Sequence, residues 1–239
     1  MSSRLQRGAL ITFSGVDCSG KSTQLEILEA ELRGRGVDVA RVWNRVGYTA
    51  WFQALKDGVR RFRPGALPAQ KTSFGPHKEL AQPRTRTAWF VAAAADLTRL
   101  YSVTIARLLR QGTVVLCDRY LADSHVDLLL HFPEVDLPST LTWKAVVKLA
   151  PAPDLSLFFD VPLHVALARA EEKQEVFRQP DETVAARIAA YAEAAPHYPQ
   201  TIVDGNRGRR EIADELAALV DETLGSRFRT GPGRREIIS

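Results

Sequence analysis

The segment Gly15-Val16-Asp17-Cys18-Ser19-Gly20-Lys21-Ser22 constrains this chain more than any other. It has the spacing G-x-x-x-x-G-K-[ST], follows a compact apolar run at 9–14 and opens a stretch with leucines at 25, 28 and 32 on one helical face. A buried strand, a glycine-rich turn and a helix in that order let consecutive backbone N–H groups curl inward as an anion nest. The helix start adds about half a positive charge at the same point. The expectation is a site for the phosphates of a nucleoside triphosphate, formed by Gly15, Asp17, Cys18, Ser19, Gly20, Lys21, Ser22 and Thr23. Lys21 is expected on the β- and γ-phosphates, and Ser22 on Mg²⁺. A chance glycine-rich turn is the competing reading; strand, spacing, lysine and hydroxyl together weigh against it.

The rest of the chain alternates strand-like and helix-like segments. Further strands are expected at 37–43, 113–117, 155–160 and 201–204. Helices are expected from Lys21, at 50–62, 85–110, 121–130 and 139–149, from Pro162 to about 170, and at 182–195 and 209–224. This predicts an α/β chain with a three-layer P-loop NTPase fold: a five-stranded parallel sheet, helices on both faces and a small lid. One domain is expected over 1–226, with the charged segment at about 171–182 as lid and a flexible tail at 227–239. Residues 63–84 hold four prolines and two glycines without a period and read as an irregular connection. Ligands of such a sheet bind at the carboxyl ends of the strands.

Asp118 and Arg119 follow the third strand directly. A carboxylate there can hold Mg²⁺ or its waters, and the arginine can clamp a phosphate bidentately; a surface ion pair is the bland alternative.

Bulk properties narrow the class. Hydrophobic residues make up 45% of 239, enough for a buried core. The net charge of +4 suits a protein handling anionic small molecules and speaks against nucleic acid as partner. The two cysteines, Cys18 and Cys117, have no metal-ligand spacing and cannot build a disulfide scaffold. Apolar runs are too short to cross a bilayer, and no signal-peptide core is seen. A soluble, cytoplasmic protein with a small-molecule phosphate acceptor is expected, without nucleic-acid or membrane partners.

With these residues in hand, the chain resembles the thymidylate kinase family of nucleoside monophosphate kinases. The matching stretches are 11–24 (ITFSGVDCSGKSTQ), 114–124 (VVLCDRYLADS), 158–170 (FFDVPLHVALARA) and 202–212 (IVDGNRGRREI). The resemblance implies ATP as donor, a nucleoside monophosphate as acceptor and a homodimer formed through helices such as that at 85–110. It implies that Asp17 faces the acceptor sugar, that Arg45 and Arg119 meet the acceptor phosphate, and that Arg169 and Asn206 lie along the adenine. In the helix lining the base pocket, the family's phenylalanine and arginine are replaced by Ala93 and Leu97, which can neither stack on nor donate to a pyrimidine. Phe90, Trp89 or Arg99 could stand in. Where some members carry an arginine in the glycine-rich loop, this chain has Cys18, so charge on the transferring phosphoryl group must come from elsewhere. Lys173 and Arg178 are the candidate lid cations, with a solvated charge run as the alternative.

Two other readings stay open on the residues alone. An acceptor that is a sugar, a nucleoside or a specialised metabolite would present an alcohol, and Asp17 or Asp118 would then serve as base. A nucleotide-dependent switch would need a water-positioning residue and mobile switch loops, and no such signature is evident.

Overall fold

The apolar runs become the strands of one sheet in the computed structural model, which describes residues 7–62, 83–173 and 179–228. They are β1 (Leu10–Ser14), β2 (Val39–Trp43), β3 (Val114–Asp118), β4 (Leu155–Asp160) and β5 (Thr201–Asp204). All pair in parallel, in the order β2-β3-β1-β4-β5. Continuous apolar sequence, rather than alternation, is what a parallel strand covered on both faces requires. Every residue of the central strand β1 and of its neighbour β3 is buried.

The helices complete two outer layers. On one face, α1 (Lys21–Gly34) and α9 (Arg209–Phe228) pack Leu25, Leu28, Leu32, Ile212, Leu216 and Val220 against Ile11, Phe13, Leu116 and Phe159. The predicted leucine face of α1 is thus the buried one, each leucine contributing about 1.5–3 kcal/mol. On the other face lie α2 (Ala50–Phe62), α3 (Pro83–Arg99), α4 (Ala106–Arg110), α5 (Leu121–His131) and α6 (Leu141–Leu149). Their core includes Phe52, Ala93, Leu97, Tyr101, Leu128 and Trp143. The remaining helices, α7 (Leu163–Glu172) and α8 (Asp181–Ala194), follow β4, and α8 packs on α5. The three-layer arrangement expected from the sequence is present.

Local differences have physical causes. The helix expected at 85–110 runs from α3 into α4 through a π-helical segment, Leu100–Ile105, which gives Tyr101 a fully buried position. Asp118 is the last residue of β3 rather than the first beyond it, because β2 and β1 both still pair with it. Pro162 precedes α7 as its N-cap instead of sitting in the first turn. Helix α6 begins at Leu141, where Thr140 Oγ1 accepts the N–H of Trp143, and α9 continues to Phe228. Residues 63–82, nearly all of the expected irregular connection, lie outside the described residues, as do 174–178 of the expected lid and 229–239 of the expected tail.

Candidate active site

The glycine-rich loop leaves β1 and enters α1 by backbone conformations that side chains oppose. Gly15 has φ +135°, and a Cβ there would stand 2.6 Å from the Phe159 carbonyl oxygen. Gly20, with φ +97°, is the N-cap of α1, and no side chain caps that helix. Its first N–H groups are left facing the loop, the geometry that receives an anion. Lys21 is buried across the loop, donating to Gly15 O at 2.8 Å, Val16 O at 2.5 Å and Ser19 Oγ at 3.2 Å. Burial and the neighbouring Arg119 push its ammonium down to about 8, against the pull of Asp17 and Asp123. The loop borders a cleft of about 660 Å³ at the carboxyl ends of the strands.

Beside the loop, the end of β3 supplies an acid and an arginine. The Arg119 N–H donates to Phe13 O at 2.9 Å, extending the β1–β3 pairing one residue past Asp118. Arg119 then takes φ +74°, a left-handed conformation costing a non-glycine residue about 1–2 kcal/mol. Its Nη2 donates to Asp17 Oδ1, and Nη1 lies 3.7 Å from Asp123 Oδ1. Gln179 Nε2 donates to the other oxygen of Asp17 at 3.1 Å. Burial alone would raise the Asp17 carboxyl, but Arg119, Lys21 and Arg45 bring it down to about 2, so it is a carboxylate at neutral pH. Burial raises Asp118, with Lys21 and Arg119 opposing. Asp118 and Ser22 both line the cleft.

Arg45 reaches the same cleft from the chain after β2. It is held by its neighbour Asn44, whose N–H donates to Asp118 O at 3.0 Å and whose Nδ2 donates to Tyr101 Oη at 2.8 Å and Ser124 Oγ at 3.0 Å. The opposite wall comes from α7 and the β5–α9 turn. Arg169 Nη1 donates to Gly205 O at 3.0 Å, and Gly205 approaches the loop so closely that a Cβ would meet Ser19 O at 2.7 Å. Lys173, the exposed C-cap of α7, lines the cleft too.

The structure therefore brings Asp17, Cys18, Ser19, Gly20, Lys21, Ser22, Thr23, Arg45, Asp118, Arg119, Arg169 and Lys173 to one cleft. Gly15 shapes the loop from behind. Asn206 sits on the β5–α9 turn with its N–H bonded to Asp204 Oδ1 at 2.9 Å. The other expected residues lie elsewhere: Ala93 and Leu97 are each 1% exposed within the α2–α3–α6 core, and half-buried Phe90 packs edge-on to Phe132 at 5.8 Å. Arg178 falls outside the described residues.

Sequence reading missed Asp123, Asp127, Arg187 and Tyr191. Tyr191 Oη donates to Asp123 Oδ1 at 2.6 Å, and Arg187 Nη1 to Asp127 Oδ1 at 2.7 Å. A signal existed: Asp123 and Asp127 on α5, and Arg187 and Tyr191 on α8, are each spaced i,i+4, and polar groups on a buried helical face must find partners.

The comparisons agree with this geometry. The family model described as thymidylate kinase matches residues 77–216, more than half of the chain. The thymidylate kinase of Pelobacter propionicus is 30% identical, the match covering 89% of this chain and 94% of that protein. Those of Nitrosomonas europaea and Ruegeria pomeroyi are 28% and 29% identical, covering 91% and 89% of this chain and 94% of each relative. A cleft that pairs a glycine-rich loop and its uncapped helix start with two arginines, in a chain with this kinship, places the protein in the thymidylate kinase family, as an ATP-dependent nucleoside monophosphate kinase.

Proposed function

We propose that the chain transfers the γ-phosphoryl group of ATP to thymidine monophosphate, giving the diphosphate and ADP. The observation that carries this reading is the junction of Lys21, Asp17 and Arg119 at the floor of one cleft. The uncapped start of α1 lies to one side for the donor triphosphate, and Arg45 and Arg119 to the other for the acceptor phosphate. Lys21 and the loop amides hold the triphosphate. A phosphate acceptor is already nucleophilic at neutral pH, so no base is required. Asp17, ionised and tied to Arg119 and Gln179, orients the acceptor. An acceptor phosphate oxygen forms the new bond to the γ-phosphorus as the bond to the ADP oxygen breaks. Arg119 and Lys173 neutralise charge on that group; Arg169 and Asn206 border the adenine.

The residues present fit Mg²⁺. One carboxylate, Asp118, and one hydroxyl, Ser22, share the cleft, and a phosphate-bound Mg²⁺ asks for few protein ligands because phosphates and water complete its shell. When bound, Mg²⁺ offsets negative charge on the phosphates.

One observation favours a second reading of the acceptor's other half. Ala93 and Leu97 are closed into the core, so a ring would meet different side chains than the family's phenylalanine and arginine. That leaves a non-thymine nucleotide, or a sugar or metabolite phosphate, as the rival. Coupled ADP-release assays over all nucleoside monophosphates and a set of sugar phosphates decide. Thymidine monophosphate is expected to give the highest kcat/KM; a higher value for another acceptor selects the rival, and hydrolysis indifferent to every acceptor overturns both. The assembly in this proposal is a homodimer, supported by Val91 and Val103, exposed at 49% and 55% along the helix that runs from α3 into α4.

A further inference from the structure

Behind the cleft arginines lies an ion pair that the reaction described above does not use. Arg187, on α8, is 1% exposed and donates from Nη1 to Asp127 Oδ1, on α5, at 2.7 Å; the Asp127 side chain is 2% exposed. Neither residue lines the cleft. Both nevertheless stand within electrostatic reach of it. Among the charges acting on Arg45, the Asp127 carboxylate is the strongest, and Asp127 also attracts Arg119. Arg187 and these two guanidinium groups repel one another, and Arg187 helps hold Asp17 ionised.

A buried pair of this kind is weak evidence for stability, because the desolvation of two ions roughly cancels their attraction. Its effect on neighbours is another matter. An Asp127 carboxylate without Arg187 would be a buried anion needing a donor, and the guanidinium groups it already attracts are those of Arg45 and of Arg119, whose Nη1 lies 3.7 Å from Asp123, one turn earlier on α5. Either would turn inward, away from the acceptor phosphate.

We infer that Arg187 is a positioning residue for phosphoryl transfer: by occupying Asp127, it leaves Arg45 and Arg119 turned toward the cleft. The inference rests on the proposal that those two arginines hold the acceptor phosphate. It assigns Arg187 and Asp127 one joint role, so removing one partner harms acceptor binding and removing both restores it.

The test uses the full chain with thymidine monophosphate as the acceptor probe, comparing the parent with Arg187→Met, the double variant Asp127→Asn/Arg187→Met, and Arg45→Met. Arg187→Met should raise the acceptor KM by about 10- to 100-fold, as displaced binding groups do, with the KM for ATP within about twofold. The double variant should return the acceptor KM to within about threefold of the parent, a rescue that a packing role does not allow. If Arg187→Met fails to fold, the double variant, which buries no unpaired charge, decides alone. An acceptor KM about tenfold or more above the parent in the double variant overturns the inference, as does a folded Arg187→Met with parental KM. Arg45→Met separates the two levels. If it leaves the acceptor KM unchanged, the acceptor site is misassigned and the inference falls with it. If it raises the KM while Arg187→Met does not, only the inference fails.

Discussion

Arg119 shows how much of this site depends on single residues held against their preferences. Its left-handed backbone costs stability, yet it lets the guanidinium swing from the end of a buried strand onto Asp17 rather than continue the sheet. Cys18, with φ +62°, bears a similar strain inside the loop. Lys21 bears a different cost, that of a desolvated ammonium. Its value in the folded chain, about 8, lies below the ordinary 10.5, so between those limits the unfolded chain binds more protons and stability rises with pH. The penalty is fully present below about 8 and is gone above the unfolded value. Binding has the opposite sign, because the protonated form attracts a triphosphate. From pH 8 upward, ATP affinity should therefore fall while the ligand-free protein gains stability. Calorimetric titration and thermal melts between pH 7 and 10.5 check both slopes. In Lys21→Met both should flatten; parallel slopes in parent and variant would remove Lys21 from the explanation.

At the scale of elements, the π-helical segment between α3 and α4 does what an uninterrupted α-helix would not. It buries Tyr101 against Tyr120, ring centres 4.5 Å apart, and brings the hydroxyl within 2.8 Å of both Asn44 Nδ2 and Ser124 Oγ. That polar triangle ties the end of β2 to α5, hence the residue before Arg45 to the helix that follows Arg119. Tyr101→Phe deletes one corner and leaves buried polar groups short of a partner, at a cost of about 1–3 kcal/mol. For a chain of this size the melting temperature should drop by roughly 2–12 °C. Differential scanning calorimetry reads the change; a melting point equal to the parent's would mean that water replaces the hydroxyl without loss. Helix α8 is the other element with a double role, joining Asp123 through Tyr191 and Asp127 through Arg187 while packing Ala190 and Ala194 on α5.

For the whole molecule, the proposed homodimer predicts that Val103→Glu, which places a charge on an exposed apolar position, yields monomers at micromolar concentration while ATP binding persists. Light scattering measures it, and a monomeric parent would remove the dimer from the proposal. The sequence by itself determined the glycine-rich loop, the strand set and the two-sided layering. Each follows from local spacing: glycines fix backbone angles within a few residues, and apolar runs and leucine periods say which faces must be covered. It also carried Asp118, Arg119 and Arg45, which stand directly at strand ends and so arrive wherever the strands point. Only the tertiary structure decided what stands behind them. Asp127 and Arg187 are 60 positions apart, and Asp17 and Gln179 are 162 apart, so these contacts arise when α5, α8 and the loop pack together. The enclosure of Ala93 and Leu97 is likewise a property of the assembled core. Short-range spacing encodes dihedral angles and faces, whereas which charge meets which depends on the packing of elements far apart in the chain.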